Sequence, residues 1–209
     1  PDALIVEDTD TLALSEATHD LVIHGMSLHW ANDPVGQLVQ ARRALQPDGL
    51  FLAVSFGGQT LHELRASLGQ AEVDITGGLS PRVAPMGEIR DLGALLQRAG
   101  LNLPVADSLP LTVSYQSPLH LMHDLRAMGE TNALNARLCR PTRRAVLMRA
   151  MELYIENFAD DAGRIPATYD LIALTGWAPD DSQPKPLRPG SATARLADAL
   201  KTTENPLGD

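Results

Sequence analysis

The sequence predicts an α/β fold, in which helices pack against an open and mainly parallel β-sheet. Apolar runs of strand length alternate along the chain with segments of helical periodicity. The run at Asp20–Ser27 is apolar on both faces, which is typical of a central parallel strand. Hydrophobic residues make up 44% of the 209 residues, which is enough for the core of one domain.

A strand, a helix and a second strand follow one another between residues 20 and 55. Asp33 and Pro34 are suited to begin the helix, as its N-cap and its first helical residue. The Gln46–Gly49 segment has turn chemistry that ends the helix, and the strand Leu50–Ser55 follows. Such a succession forms a right-handed unit with parallel strands, so both strands should end at the same edge of the sheet.

The same patterns predict the remaining elements of the chain. A loop rich in glycine and proline at 77–85 separates two of the helices. The other predicted strands are Ala3–Val6, Leu109–Tyr115 and Ala167–Gly176, and the other predicted helices are Thr60–Ala71, Gly87–Ala99, Pro118–Met128 and Thr142–Phe158.

Composition excludes several classes of protein. The formal net charge of -9 argues against a general nucleic-acid-binding role. A single cysteine, Cys139, forms neither an internal disulfide nor a cysteine metal cluster, and it favours a cytoplasmic setting. No apolar run approaches the roughly 20 residues of a membrane span. There is no P-loop, no nucleophile elbow and no complete metal-ligand pattern, so no metal site is expected.

Polar side chains lie where the predicted parallel strands end, and open α/β sheets bind their ligands at that edge. Asp8 follows the first strand and either accepts a hydrogen bond from an amine or sugar hydroxyl or is a solvated carboxylate. His29 and Trp30 follow the second strand. His29 is a candidate general base. The alternative is that Trp30 covers the start of the helix while His29 is merely exposed.

Three further features allow a functional and a structural interpretation. Gly57 and Gly58 either let a ligand approach the backbone or form a simple turn. Arg82, in the glycine- and proline-rich loop, would bind a carboxylate if the loop folds over the site. The basic stretch Arg137–Arg149 is either a solvated helix face or a surface for an acidic partner.

Several segments, taken in order, resemble the class I S-adenosylmethionine-dependent methyltransferases, which have a Rossmann-like fold. The general resemblance lies in Leu4–Asp8, Asp20–Ile23 and Leu45–Leu52. Four further segments are similar to a narrower group that contains the malonyl-carrier-protein methyltransferases of biotin synthesis and the arginine hydroxylases that assemble respiratory complex I. These segments are Ser27–Asp33, Gly78–Pro85, Met128–Ala133 and Leu174–Pro179.

The resemblance implies a single domain over residues 1–209, with a mainly parallel sheet and an antiparallel last strand. It also implies a helical cap formed by insertions at about 72–98 and 116–158. The family's glycine-rich loop and the acidic residue that ends its second strand do not occur in this sequence. We therefore expect the family's N-terminal strands to precede this chain, and the strand Asp20–Ser27 to lack one neighbour here.

The resemblance further implies S-adenosylmethionine as the cofactor and assigns residues to each side of the site. Asp8 would contact the adenine amine, and Thr9 would present its backbone to the ring. The other residues expected at the cofactor are Leu12, Gly25, Met26 and Ser27, and those expected on the substrate side are His29, Trp30 and Arg82.

Three functions remain open at this point, because one fold hosts many reactions. The first is methyl transfer to a small molecule or a carrier-bound acid. The second is hydroxylation of an arginine in a partner subunit by an assembly factor of respiratory complex I. The third is a non-catalytic scaffold whose cofactor site has decayed.

Overall fold

The computed structural model describes residues 10–185, 191 and 200–202. The chain divides into two compact units, Pro1–Pro179 and Asp180–Asp209, and all the strands and helices given below belong to the first. The predicted strand Ala3–Val6 and the candidate cofactor residues Asp8 and Thr9 lie outside the described residues.

The described strands form one sheet in the order β1-β2-β4-β3. They are β1 (His19–Gly25), β2 (Leu45–Gly57), β3 (Asn102–Tyr115) and β4 (Ile165–Trp177). β1 and β2 are parallel, whereas β4 is antiparallel to both of its neighbours. β3 therefore runs in the same direction as β1 and β2. This arrangement confirms the expected mainly parallel sheet with an antiparallel last strand.

The predicted helices are present, and the first of them begins at its expected N-cap. They are α1 (Pro34–Ala44), α2 (His62–Thr76), α3 (Ile89–Arg98), α4 (Pro118–Ala127) and α5 (Arg144–Phe158). The Asp33 carboxylate accepts a hydrogen bond from the Gly36 amide at 2.8 Å, as an N-cap does. Among the described residues, no helix combines the length and apolar character that a bilayer crossing requires.

The predicted turn at Gln46–Gly49 lies inside the bounds of β2. His19 pairs with Leu45, but Leu21 pairs with Leu50, so the register shifts across these residues. Pro47 has no N–H to donate to a strand pair, and Asp48 has a positive φ of 62°. The Gln46–Gly49 segment thus follows the end of α1, as predicted, but it forms an irregular part of β2 and not a separate turn.

Two hydrophobic cores lie on opposite faces of the sheet. On one face, Phe51 and Ile172 pack with Leu38 of α1 and Leu96 of α3. On the other face, α2, α4 and α5 cover β3 and β4 around residues such as Tyr169. The stretch 72–98, expected to form part of the cap, is therefore divided. Its loop lines the cleft described below, whereas α3 covers the opposite face of the sheet.

Within the described sheet, β1 is an edge strand that is paired on one side only. Its apolar side chains Leu21 and Ile23 are 45% and 67% exposed. The described residues therefore leave a face of β1 partly uncovered, whereas a central parallel strand is normally covered on both faces.

Gly57 and Gly58 are required by packing within the protein. A Cβ at Gly57 would overlap with the Ile172 side chain and lie 2.9 Å from the Gly87 carbonyl oxygen. Gly58 has a φ of +49°, and a Cβ there would overlap with the Asp170 carboxylate. The structural interpretation of this pair, a tight turn, accounts for both glycines.

We predict that Gly58→Ala destabilises the protein by about 2–3 kcal/mol, because it adds a steric overlap to the cost of a positive φ. Gly77→Ala is the matched control, since Gly77 has a φ of +71° but a Cβ there would meet nothing within 4 Å. The control should cost only about 1 kcal/mol. Urea unfolding measures both values, and equal losses would contradict the proposed overlap with Asp170.

Candidate functional site

A cleft lies at the carboxyl ends of β1 and β2, where the sequence predicts the site. A short 3₁₀ turn, Leu28–Trp30, follows β1 and carries His29 and Trp30 into this cleft. Arg82 and the segment 130–133 lie across from them. The structure therefore brings together the three residues expected on the substrate side. The apolar lining comes mainly from Leu61, Leu64, Leu68, Val83, Met86 and Leu125.

His29 is held by hydrogen bonds at both ring nitrogens. Its Nδ1 lies 3.1 Å from Oγ of Ser55, a buried residue of β2. Its Nε2 lies 3.1 and 3.2 Å from the two carboxylate oxygens of Glu130. Because the His29 side chain is only 7% exposed, the alternative that it is merely an exposed residue is wrong.

The partners of His29 restrict where its protons lie. Glu130 as a carboxylate can only accept, so Nε2 carries a proton in the observed pairing. The Ser55 hydroxyl has a second acceptor, the Phe56 carbonyl oxygen at 3.2 Å. When Ser55 donates to Phe56, Nδ1 can donate to Ser55, and when Ser55 donates to His29, Nδ1 accepts. The imidazole can thus hold or release one proton at Nδ1 with both partners retained.

Two aromatic rings fix the orientation of the imidazole. The Trp30 and Phe56 ring centroids lie 5.4 and 5.2 Å from that of His29, and both rings are tilted relative to it. These distances are within the range of favourable aromatic pairs. Trp30 is half-buried and lines the cleft, so its indole also contributes to the cleft surface.

Glu130 is a charged residue of the cleft that the sequence prediction missed. It lies 101 residues from His29 along the chain, in the loop after α4. The segment Met128–Ala133 carries a family resemblance, but that resemblance assigns no role to the carboxylate within it. A local pattern does not reveal the role, because the role depends on a contact between distant parts of the chain.

Arg82 binds a carboxylate, as its chemistry suggests, but that carboxylate belongs to the protein. Its Nη2 and Nε donate to Glu72 at 2.8 and 3.3 Å, and its Nη1 donates to Thr142 at 2.6 Å. The Arg82 hydrogen bond, helped by Ser80 and opposed by burial, lowers the pKa of Glu72 from 4.5 to about 2. Arg82 therefore connects the 77–85 loop to α2 and to the segment just before α5.

Gly25, Met26 and Ser27 form an exposed rim at the end of β1. A Cβ at Gly25 would have no neighbour within 4 Å among the described atoms. Met26 has a positive φ of 50° and is 38% exposed, while its amide is bound to the Val54 carbonyl at 2.8 Å. Ser27 Oγ lies 3.3 Å from Nδ1 of His24. The open backbone of this rim fits one side of an adenosine-bearing cofactor.

Leu12 lies beside α1, where Gln40 binds the segment that follows Thr9. Gln40 accepts from the Leu12 amide at 2.7 Å and donates to the Asp10 carbonyl at 2.8 Å. The expected adenine contacts of Leu12 and of its neighbours Asp8 and Thr9 remain predictions. Among the described residues, no three His, Cys, Asp or Glu side chains are grouped to hold a metal ion.

Comparison of the sequence with known proteins gives three findings. Residues 2–53 match the family described as a methyltransferase domain. Over 202 residues, the chain is 40% identical to the mitochondrial arginine-hydroxylase NDUFAF5 of Danio rerio, covering 96% of this chain and 62% of that protein. Over 175 residues, it is 34% identical to the malonyl-[acyl-carrier protein] O-methyltransferase of Methylovorus sp. (strain MP688), covering 84% of this chain and 56% of that protein.

Comparison of the structures supports the fold. A solved structure from Bacillus halodurans C-125, of a protein assigned as a methyltransferase, superposes with a TM-score of 0.51 at 12% identity. The match covers 82% of this chain and 75% of that one, and at this identity it shows the fold alone. The chain spans about three fifths of the length of the curated relatives it matches.

We predict that the Glu72–Arg82 pair makes stability depend on pH. The folded-state pKa of Glu72 is lowered, so its contribution is fully present above pH 4.5 and is lost as the pH falls towards 2. Glu72→Gln should cost about 2–4 kcal/mol at pH 7, because it leaves Arg82 without its charged partner. Urea unfolding at several pH values should show this difference shrinking below pH 4.5. The exposed Glu16→Gln is the control, and a pH-independent difference would contradict the assignment.

Proposed function

We propose that this chain, which has a methyltransferase-like fold, acts on an arginine side chain of a partner protein. Hydroxylation is the reaction that we favour. The observation on which the proposal depends is the Glu130 carboxylate, which faces the cleft beside Trp30 while retaining acceptor capacity.

Glu130 is suited to bind a guanidinium group. A carboxylate offers about four acceptor positions, and His29 Nε2 is the only described donor to it. The side chain is 15% exposed, so it is partly desolvated but still accessible from the cleft. Carboxylate–guanidinium pairs are strong under such conditions, because both groups are charged and their geometries match.

The rest of the cleft suits the remainder of an arginine side chain. The Trp30 indole lies beside His29 at the cleft surface, where a cation can stack on its face. Leucine and methionine side chains such as Leu64, Met86 and Leu125 supply apolar surface for the three methylenes of an arginine. The shape of the cleft and its charge therefore both favour an arginine side chain as the substrate.

The pairing of Arg82 argues against an acidic substrate in this cleft. A malonyl group would need a free cation to bind its carboxylate, but the Arg82 guanidinium is engaged by Glu72 and Thr142. Glu130 would repel the same group. Methyl transfer to a carrier-bound acid is supported by the relative that is 34% identical, and it is the second candidate.

The relatives also support an arginine substrate. The similarity to an arginine-hydroxylase, at 40% identity, extends over 96% of this chain, so it is not confined to one part of the fold. Hydroxylation replaces a C–H bond by C–OH. One oxygen atom of dioxygen enters the product, and the other leaves as water after taking up two protons and two electrons from an external reductant. We infer that the partner is a subunit of a respiratory complex.

The open rim at the end of β1 would hold the cofactor. Gly25, Met26 and Ser27 would contact it from one side, and Leu12, with Asp8 and Thr9, would contact the adenine. When bound, S-adenosylmethionine supplies a methyl group that is activated by a positively charged sulfur, which is the chemistry of the second candidate, methyl transfer. His29 orients Glu130 and can hold a proton at Nδ1, and the apolar lining excludes water from the substrate side.

We predict that an arginine of respiratory complex I gains one oxygen atom in cells that contain this protein and remains unmodified in a deletion strain. Mass spectrometry of the purified complex detects the change. Re-expression of the natural full-length protein should restore the modification. Glu130→Gln should lower the modified fraction at least about tenfold, because it removes the charged partner of the guanidinium.

Glu16→Gln, which changes an exposed carboxylate outside the cleft, is the matched control and should restore the modification fully. An unmodified arginine in wild-type cells would contradict the proposal. Methyl transfer to a carrier-bound acid in the same extracts, abolished by the deletion, would favour the second candidate instead.

We further predict that Gly25→Val in the full-length protein weakens binding of S-adenosylhomocysteine at least about tenfold. A Cβ at this position would have no described atom within 4 Å, so the valine should occupy space that the cofactor needs. Gly78→Val is the control, because a Cβ there would come no closer than 3.9 Å to its neighbours. Isothermal titration gives both affinities, and unchanged binding by Gly25→Val would exclude this rim as the cofactor site.

A further inference from the structure

The segment from Leu125 to Met148 is strongly basic in a chain whose overall charge is -9. It contains five arginines and a single carboxylate, that of Glu130. The arginines lie at the end of α4, in the following loop and at the start of α5. All five are exposed, and they are Arg126, Arg137, Arg140, Arg143 and Arg144.

These arginines are not paired with carboxylates of the described part of the chain. Arg137 donates only to the Leu134 carbonyl oxygen, at 3.1 Å, and the other four side chains have no described hydrogen bond or ion pair. By contrast, the nearby Arg82 binds Glu72, and Arg149 of α5 lies within 3.4 Å of Asp74 and Glu152. The unpaired arginines are therefore available to an external ligand.

Two of these arginines line a groove that is continuous with the His29 cleft. Arg126 and Arg137 lie along it. Glu130 lines both the groove and the cleft. Thr142 also lines the groove, which brings its neighbour Arg143 close to this rim. The groove also has an apolar part of its lining, formed by Leu64, Leu68, Met122, Leu125, Leu138 and Leu147.

We propose that this groove binds an acidic, extended segment of the partner protein, next to the arginine that enters the cleft. Carboxylates of the segment pair with Arg126 and Arg137, and its apolar side chains pack on the leucines. The position of the modified arginine rests on the proposed function, whereas binding of the acidic segment does not.

A polypeptide fits this groove better than a nucleic acid. The groove lining contains no aromatic side chain on which a base could stack. Its lining combines leucine and methionine with threonine and asparagine, which suits the mixed side chains and the backbone of a peptide. The net charge of -9 would also repel a long polyanion. A short acidic segment interacts mainly with the arginines near it, because salt screens the more distant charges.

The test is fluorescence anisotropy with the natural full-length protein and a synthetic peptide in which glutamates flank a central arginine. Arg126→Glu combined with Arg137→Glu should weaken binding of this peptide at least about tenfold, because two attractive pairs become repulsive. Arg98→Glu, on α3 at the opposite face of the sheet, should change binding less than about twofold. Binding should also weaken as salt is added.

Three results would overturn the proposal. The first is equal binding of a peptide in which glutamines replace the glutamates. The second is unchanged binding by the double variant, whose unfolding midpoint should match that of the wild type because both arginines are exposed. The third is tighter binding of an oligothymidine than of the acidic peptide by the wild type, if only the double variant loses binding of the oligothymidine.

The peptide-binding test of the groove and the modification test of the proposed function can fail independently of each other. Binding of the acidic peptide without any arginine modification in complex I would retain the groove and reject the proposed function. Modification of the arginine at the wild-type level by the double variant would reject the groove and leave the proposed function intact.

Discussion

The hydrogen bonds of His29 hold the candidate site together, because they join distant parts of the chain. They connect the turn after β1 with Ser55 in β2 and with Glu130, which is 101 residues away. Leaving a buried ring nitrogen unpaired would cost about 1–3 kcal/mol, so the pairing favours one position of the loop after α4. That position places the Glu130 carboxylate where the cleft and the groove meet, and both proposals depend on it.

Much of the fold could be predicted, because its signals are local. Asp33 and Pro34 mark the start of α1, and the two-faced apolar strand after His19 indicates a parallel neighbour. The family resemblance supplied the antiparallel last strand, which no local pattern shows. The face that α3 covers was not predicted, because it depends on contacts of Leu96 with Leu38 and Phe51, which are distant in sequence. The irregularity in β2 was also missed, since a turn motif does not show whether a strand continues through it.

Only the part of the candidate site that lies in the turn after β1 could be predicted from the sequence. His29 and Trp30 could be found because they follow a strand at the edge where α/β proteins bind ligands. Their partners Ser55 and Glu130 come from other segments, and a pattern search along one segment cannot pair them. For Arg82, the kind of partner could be predicted, but its identity could not. Its chemistry indicates a carboxylate ligand, but only the structure shows that Glu72 already supplies it.

Arginines that form ion pairs within the protein have a structural role, whereas the exposed arginines without such pairs can bind a ligand. Arg82 is largely buried, so it requires Glu72 to offset its desolvation, and it has little capacity left for a ligand. Arg126 and Arg137 are exposed and make no ion pair with the described residues, so folding does not depend on them. Glu130 carries the opposite charge in the same groove. A bound segment therefore meets both positive and negative charge, and like charges placed together would weaken its binding. The groove thus suits a segment that presents a basic side chain to Glu130 and acidic ones to the exposed arginines.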